Sequence, residues 1–214
     1  MKMLHRPVAR PPREIYPVHP WQLVERGFHP ERVPSSETLF ALANGHLGVR
    51  GTFEEGEPVH EHGTFINGFH ETWPIVYPET AFGLASVGQT ILGLPDATAI
   101  CLIVEDEPVI LTRGRLISHE RVLDFRTGVL ERSFEWKSLT GPRIRVRSRR
   151  LVSFEERGSI AFRLEVEVLS GRGRLGLSSL LLNRRGKEEA QHELDPRRAA
   201  ALEGALEPLD WHSD

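Results

Sequence analysis

Two stretches of this chain alternate apolar and polar residues with a period of two, and that constrains its fold more than any other feature. One reads Arg143-Ile144-Arg145-Val146-Arg147, the other Ile160-Ala161-Phe162-Arg163-Leu164-Glu165-Val166-Glu167-Val168. Period two sends successive side chains to opposite faces of a strand, so each stretch predicts a half-buried β-strand. Between them, Glu155-Glu156-Arg157-Gly158 reads as a short hairpin loop with a glycine available for a positive φ. A hairpin centred near Glu156 sets Ile144 opposite Val168 and Val146 opposite Val166 on the core side. It also sets Arg145 opposite Glu167 and Arg147 opposite Glu165 on the outer side. Apolar and charge pairing are then satisfied together, which selects this register over its neighbours. The arginine run 143–150 then reads as the solvated face of a strand, partly neutralised by glutamates, rather than as an anion-binding patch.

The same signal recurs from Glu37 to about Asn183. Short apolar runs near 47–53, 63–68, 98–104, 108–111, 115–123, 128–137 and 174–182 are broken by glycine, proline and charge pairs. Glycines 48, 51, 63, 68, 83, 88 and 93 crowd the first half, where they mark bulges or close backbone approach. So many antiparallel strands predict an all-β sandwich or barrel over 35–183. Residues 1–34 hold Pro7, Pro11, Pro12, Pro17, Pro20, Pro30 and Pro34, seven of the fifteen prolines. That density predicts an arm that begins without regular structure, its second half pinned to the body by Trp21, Leu23, Val24 and Phe28. Residues 184–214 read as a loop around Asp195-Pro196 with a short helical piece, and no closing strand is visible there.

Composition narrows the function classes. With 27 basic and 30 acidic residues and a net charge of -3, the chain lacks the basic excess through which nucleic-acid binders neutralise phosphates. No apolar run approaches the ~20 residues that a membrane-spanning helix needs. Prolines 7, 11 and 12 stand where a signal peptide requires its apolar stretch, so the expected location is cytoplasmic. The single cysteine, Cys101, lies within an apolar strand and reads as a small core residue rather than as a nucleophile.

Signatures of phosphate-binding loops, dinucleotide-binding turns and serine-hydrolase elbows are absent from the sequence. Paired carboxylates could hydrolyse a glycoside, yet nothing in the sequence singles out two of the thirty acids. His60 and His62, two apart on a strand and close to Glu61, His70 and Glu71, could form half of a metal site; a polar loop is the simpler reading, and no metal is expected. The segment from Gly63 to Pro78 combines Phe65, Asn67, Phe69, His70, Glu71, Trp73 and Tyr77. Aromatic rings beside amide and carboxylate groups suit a sugar, whose apolar faces stack on rings while its hydroxyls find polar partners. Asn67, His70, Glu71 and Trp73 are the candidate substrate contacts, with Trp73-Pro74, read as loop, preferred. The competing reading places the aromatic side chains in the core.

Five blocks resemble glycoside hydrolase family 65, in that family's order. The first runs Glu37-Thr38-Leu39-Phe40-Ala41-Leu42-Ala43-Asn44-Gly45-His46-Leu47-Gly48-Val49-Arg50-Gly51. The second is Gly63-Thr64-Phe65-Ile66-Asn67-Gly68-Phe69-His70-Glu71, followed by Pro74-Ile75. Then come Gln89-Thr90-Ile91-Leu92-Gly93-Leu94-Pro95-Asp96, Leu123-Asp124-Phe125-Arg126-Thr127-Gly128-Val129-Leu130 and Ser148-Arg149-Arg150-Leu151-Val152-Ser153-Phe154. His46 and His70 stand where tyrosine is common in the family, and Gly93 where asparagine is. The resemblance implies an antiparallel super-β-sandwich of the galactose-mutarotase type, here incomplete at its C-terminal end. It further implies a separate catalytic α/α barrel, in the same or another chain, acting on α-linked glucose disaccharides by inverting phosphorolysis or hydrolysis. Inorganic phosphate would be a co-substrate rather than a bound cofactor, and the resemblance adds a homodimer as an expectation for a full-length protein. The general acid belongs to the barrel, so no catalytic residue is expected in this chain, which alone is expected to be inactive. The alternatives are a free-standing carbohydrate-binding sandwich and an inactive remnant.

Overall fold

The structure is a computed structural model describing residues 11–79, 81–139 and 141–182. The expected loop and helical piece at 184–214 lie outside the described residues. Twelve strands, one short α-helix and a 3-10 turn at Pro30–Arg32 are present among them. The strands are β1 (Gln22–Arg26), β2 (Leu42–Ala43), β3 (Leu47–Val49), β4 (Thr64–Pro74), β5 (Val87–Gly93), β6 (Asp96–Val104), β7 (Glu107–Pro108), β8 (Arg115–Asp124), β9 (Val129–Lys137), β10 (Arg143–Val152), β11 (Ile160–Ser170) and β12 (Leu175–Leu182), with helix α1 at Val33–Leu39. All ladders are antiparallel and form three sheets, ordered β1-β8-β9-β10-β11, β12-β6-β7 and β2-β3-β4-β5.

The five-stranded sheet makes one layer of a sandwich and the two smaller sheets face it. Phe134, Trp136, Ile144 and Val146 of the large sheet pack with Leu102 and Val104 of β6, and with Val109 and Leu111 just after β7. Further along, Leu123, Leu130 and Val152 pack with Leu42, Leu47 and Val49, closed over by Tyr16 and Phe40. These positions alternate along their strands, so the period-two pattern becomes the core directly: β9 and β10 bury every second residue from Leu130 to Trp136 and from Ile144 to Val152. Burying each such aliphatic or aromatic side chain is worth roughly 1.5–3 kcal/mol.

The β10–β11 hairpin has the register expected from the sequence. Ile144 pairs with Val168, Arg145 with Glu167, Val146 with Val166 and Arg147 with Glu165. Its turn differs in detail: Ser153 N–H donates to Ser159 O, and Gly158 does not take a positive φ.

Four local expectations are revised. Residues 22–26, within the expected arm, are a strand hydrogen-bonded to β8 rather than merely pinned to the body. Residues 33–39 are helical, with Pro34 in the first turn, where its missing N–H costs nothing. The expected strands at 47–53 and 108–111 end at Val49 and Pro108, and the chain beyond each continues as buried loop. Finally, the arginine run is split by parity: Arg145, Arg147 and Arg149 face out, whereas Arg150 is only 2% exposed and points into the core.

Candidate functional site

The four candidate sugar contacts all lie on β4, and the structure does not bring them together. From His70 onward β4 pairs regularly with β5: His70 with Ile91, Glu71 with Thr90, Thr72 with Gln89 and Trp73 with Gly88. Adjacent residues therefore face opposite ways. Glu71 and Trp73 share one face and His70 takes the other. Asn67 lies in an irregular stretch around Gly68, whose φ of 93° needs a glycine. Its side-chain amide donates to Gly45 O at 3.3 Å, tying β4 to the β2–β3 turn. Trp73-Pro74, expected in a loop, ends the strand instead.

Gly88 accounts for the position of Trp73. A Cβ at Gly88 would lie 2.3 Å from the indole Cε2, so the ring sits against bare backbone. The β4–β5 hairpin thus presents a half-buried indole with Glu71 on one side. His70, Thr72, Val87 and Ile91 are exposed on the other side, with Val76 and Phe82 exposed near the hairpin tip. Such a surface can stack on and hydrogen-bond to a polyhydroxyl ligand; acid–base chemistry between its candidates would require them on one face.

Of the two histidines weighed as metal ligands, His62 is engaged with Asp96, its Nδ1 lying 2.9 Å from Asp96 Oδ2. Asp96 Oδ1 also accepts from the N–H and hydroxyl of Thr98, at 2.8 and 2.6 Å. Burial alone would raise the Asp96 carboxyl, but these bonds outweigh it and hold the group down to about 2. His60 is exposed, and its backbone N–H donates to Glu37. Among the described residues no three histidine, cysteine or acidic side chains come together as a metal would require. Cys101 is half-buried in β6.

The strongest electrostatic feature lies between the sheets, and it was missed in reading the sequence. The segment 51–55 is clasped by three arginines from adjacent strands. Arg121 of β8 donates to Gly51 O at 2.9 Å, and Arg150 of β10 to Thr52 O at 2.8 Å. Arg132 of β9 donates through Nη1 to Glu54 at 2.7 Å and to Glu55 at 2.8 Å. Phe53 is held between the Arg121 and Arg132 guanidinium groups, 4.5 and 4.7 Å from its ring centroid. Glu25 of β1 pairs with Arg121 at 2.6 Å and accepts from Tyr16 and Ser36. Glu54 also accepts from Ser148.

The charges tune one another. Burial would raise the Glu54 carboxyl, but Arg150 and Arg132 outweigh it and hold it down to about 2. Burial dominates at Glu55, which is raised despite Arg132 and is pushed further by Glu54. His119, buried against Phe28 and Phe53 and facing Arg132 and Arg121, is held well below its ordinary value and is therefore neutral. A carboxylate with a raised pKa can act as a general acid, but Glu55 is fully engaged by Arg132 inside the sandwich. The cluster is therefore an anchor for the 51–55 segment. The available sequence signal was the strand parity, which puts Arg150 on the Ile144 face.

Residues of the first block act in the same anchoring. Glu37, buried at the end of α1, accepts from the backbone N–H groups of His60 and Glu61 at 2.8 and 3.0 Å. Asn44 donates to Ser153 O and Arg157 O and accepts from the N–H groups of His46 and Leu47, which locks the β2–β3 turn to the β10–β11 turn. A Cβ at Gly51 would lie 2.7 Å from that of Phe40, so helix and loop meet there only across a glycine.

Comparison with known proteins agrees with this architecture. The sequence profile described as glycosyl hydrolase family 65, N-terminal domain, matches residues 23–213. An uncharacterized glycosyl hydrolase of Mycobacterium leprae is 39% identical over 197 residues, covering 92% of this chain and 25% of that protein. The alpha,alpha-trehalose phosphorylase of Thermoanaerobacter brockii is 37% identical over 173 residues, 79% of this chain and 22% of that enzyme. A solved structure described as a candidate kojibiose phosphorylase from the human microbiome superposes with a TM-score of 0.65 at 26% identity, covering 72% of this chain and 20% of its own. The chain thus spans about a quarter of the length of the curated relatives it matches, and it belongs to glycosyl hydrolase family 65, whose N-terminal domain it carries.

Proposed function

We propose that this chain is the non-catalytic sandwich of an enzyme that cleaves α-linked glucose disaccharides with inversion, with phosphate or water as the attacking group. It would act in the cytoplasm. The rest of such an enzyme would supply the general acid, and inorganic phosphate would enter as a co-substrate where the reaction is phosphorolysis. The sandwich contributes a rigid platform, with the β4–β5 hairpin as the wall that Trp73, Glu71 and their neighbours would offer to a sugar at the mouth of the catalytic domain. Self-association through the sandwich is part of this reading.

One observation carries it: among the described residues, the inter-sheet side between β11 and β12 is apolar and open. Val166 and Val168 share a face with the core residues Val146 and Ile144, and Leu175 and Leu177 share a face with Val104 and Leu102. Yet Val168 is 41% exposed and Leu177 62%. A contiguous apolar side of this kind marks a surface made to be covered. The buried carboxylates, meanwhile, are committed to internal partners: Glu25 and Glu54 to arginines, Glu37 to the backbone N–H groups of His60 and Glu61, and Asp96 to His62 and Thr98.

The test is a comparison of the 214-residue chain with a longer chain extended through the remaining length typical of its relatives. Incubated with trehalose, kojibiose or maltose and phosphate, the short chain should release no glucose 1-phosphate or glucose, and the long chain should. Turnover by the short chain would overturn the non-catalytic assignment.

A further inference from the structure

The outer face of the five-stranded sheet carries a shallow cleft of about 480 Å3 where β1, β8, β9 and β10 lie side by side. Polar Gln22, Asp124, Glu131 and Arg149 line it together with the apolar Val122 and Val129. The registers set these residues in two successive cross-strand rows, Gln22-Asp124-Val129 and Val122-Glu131-Arg149. The volume lies within the ~300–1,000 Å3 of small-ligand sites. It is separate from the β4–β5 hairpin, which belongs to the other layer.

We infer that this cleft is a second, low-affinity site for an α-glucosyl saccharide. The charged groups in its wall already have internal hydrogen-bond partners. Gln22 Nε2 donates to Asp124 Oδ2 at 3.1 Å, and Arg149 Nε donates to Glu131 Oε2 at 2.8 Å. Asp124 Oδ1 accepts from the N–H groups of Arg126 and Thr127. A free ion of either sign would have to compete with these internal partners. A neutral polyol does not, because a paired carboxylate keeps further lone pairs and a guanidinium keeps further N–H groups. The wall therefore offers both acceptors and donors to the hydroxyls of a pyranose. The two valines give its C–H face an apolar floor. The choice of an α-glucosyl ligand rests on the function proposed above; the cleft and its chemistry do not.

The experiment is an amide NMR titration of the 214-residue chain with maltose and with trehalose. Expected are saturable shifts at Gln22, Asp124, Glu131 and Arg149 with a millimolar dissociation constant. Glu131→Ala should weaken binding about fivefold, the effect of losing one net hydrogen bond, and Trp73→Ala should leave it unchanged. Glu131→Gln, which keeps the shape of the wall, serves as a second variant, and melting curves confirm that each variant folds. Absence of saturable shifts at the cleft up to the solubility limit of both sugars overturns the inference, and so do shifts confined to β4. Loss of turnover in the extended chain would bear on the proposed enzyme and leave this result standing.

Discussion

Glu54 and Glu55 are neighbours in sequence, share the Nη1 of Arg132, and are pushed in opposite directions. A carboxyl held below its unfolded value contributes stability that is present above that value and is lost as pH falls through the folded one. For Glu54 the window runs from about 4.5 down to about 2, and the full contribution at neutral pH is on the order of 3 kcal/mol. A carboxyl raised on folding does the reverse: it favours the fold below its unfolded value, and that contribution is lost as pH rises through the folded one. Urea denaturation across pH 3–7 should therefore separate two isosteric variants. Glu54→Gln should destabilise at pH 7 and flatten the acid limb of the stability curve. Glu55→Gln should cost little at pH 7 and steepen that limb. Equal losses at pH 7 would show that the two carboxylates are not distinguished by their surroundings. Removing the shared partner is more severe. Arg132→Met leaves two buried carboxylates without their guanidinium and should cost about 3–5 kcal/mol.

A strand's parity, more than its composition, decides what its residues do, and β10 shows the difference within one dipeptide. Arg149 pairs with Glu131 on the outer face, at about half exposure. Arg150 lies inside beside Thr52. Arg149→Ala should change stability by less than about 1 kcal/mol, as exposed pairs do. Arg150→Ala should cost about 2–4 kcal/mol through lost packing and the unpaired backbone carbonyl it leaves. Thermal melts of the two variants side by side measure this, and similar shifts would contradict the facing of β10. Carried past Arg147, the alternation that identified β10 sets Ser148 and Arg150 inward, a signal that the reading of 143–150 as a solvated face left unused. What hid it was the run of five arginines in eight residues, which resembles a solvated surface when read as composition. The partners of Arg150 could not have been read in the same way, because segment 51–55 reaches it across the sandwich by tertiary packing, with no local pattern to announce it. The β4 candidates show a different limit. Their residue types suit a sugar, but the bulge at Gly68 and the pairing with β5 decide which of them share a face, and neither is encoded in spacing along the strand. Gly88→Ala tests the close approach of the Trp73 indole to the β5 backbone. The added methyl should displace the indole and shift the Trp73 emission.

At the scale of the molecule, the strands β8 to β11 and the β10–β11 register followed from sequence because these strands pair consecutively as hairpins, whereas β5 at Val87–Gly93 was not among the expected strands. The division into three sheets did not follow, since it depends on β1 reaching β8 and β12 reaching β6 across long stretches of chain. That long-range pairing also creates the open side. β11 and β12 follow one another in sequence, yet they end on opposite layers, each as an edge strand with an apolar inner face. Leu102 and Leu177 are direct cross-strand partners, one buried and one 62% exposed. They form a matched pair for asking whether the side is open in solution. Leu102→Ala should cost about 2–5 kcal/mol, as a core truncation does. Leu177→Lys should cost less than about 1 kcal/mol, because its stem can lie along the surface while its charge stays in water. The same lysine interrupts an exposed apolar edge, so it should reduce the concentration-dependent self-association expected of the isolated chain. Sedimentation velocity over a range of concentrations reads the association, and urea denaturation reads the stability. If Leu177→Lys proves as costly as Leu102→Ala, the side is already closed within the isolated chain, and the need for a covering partner disappears with it.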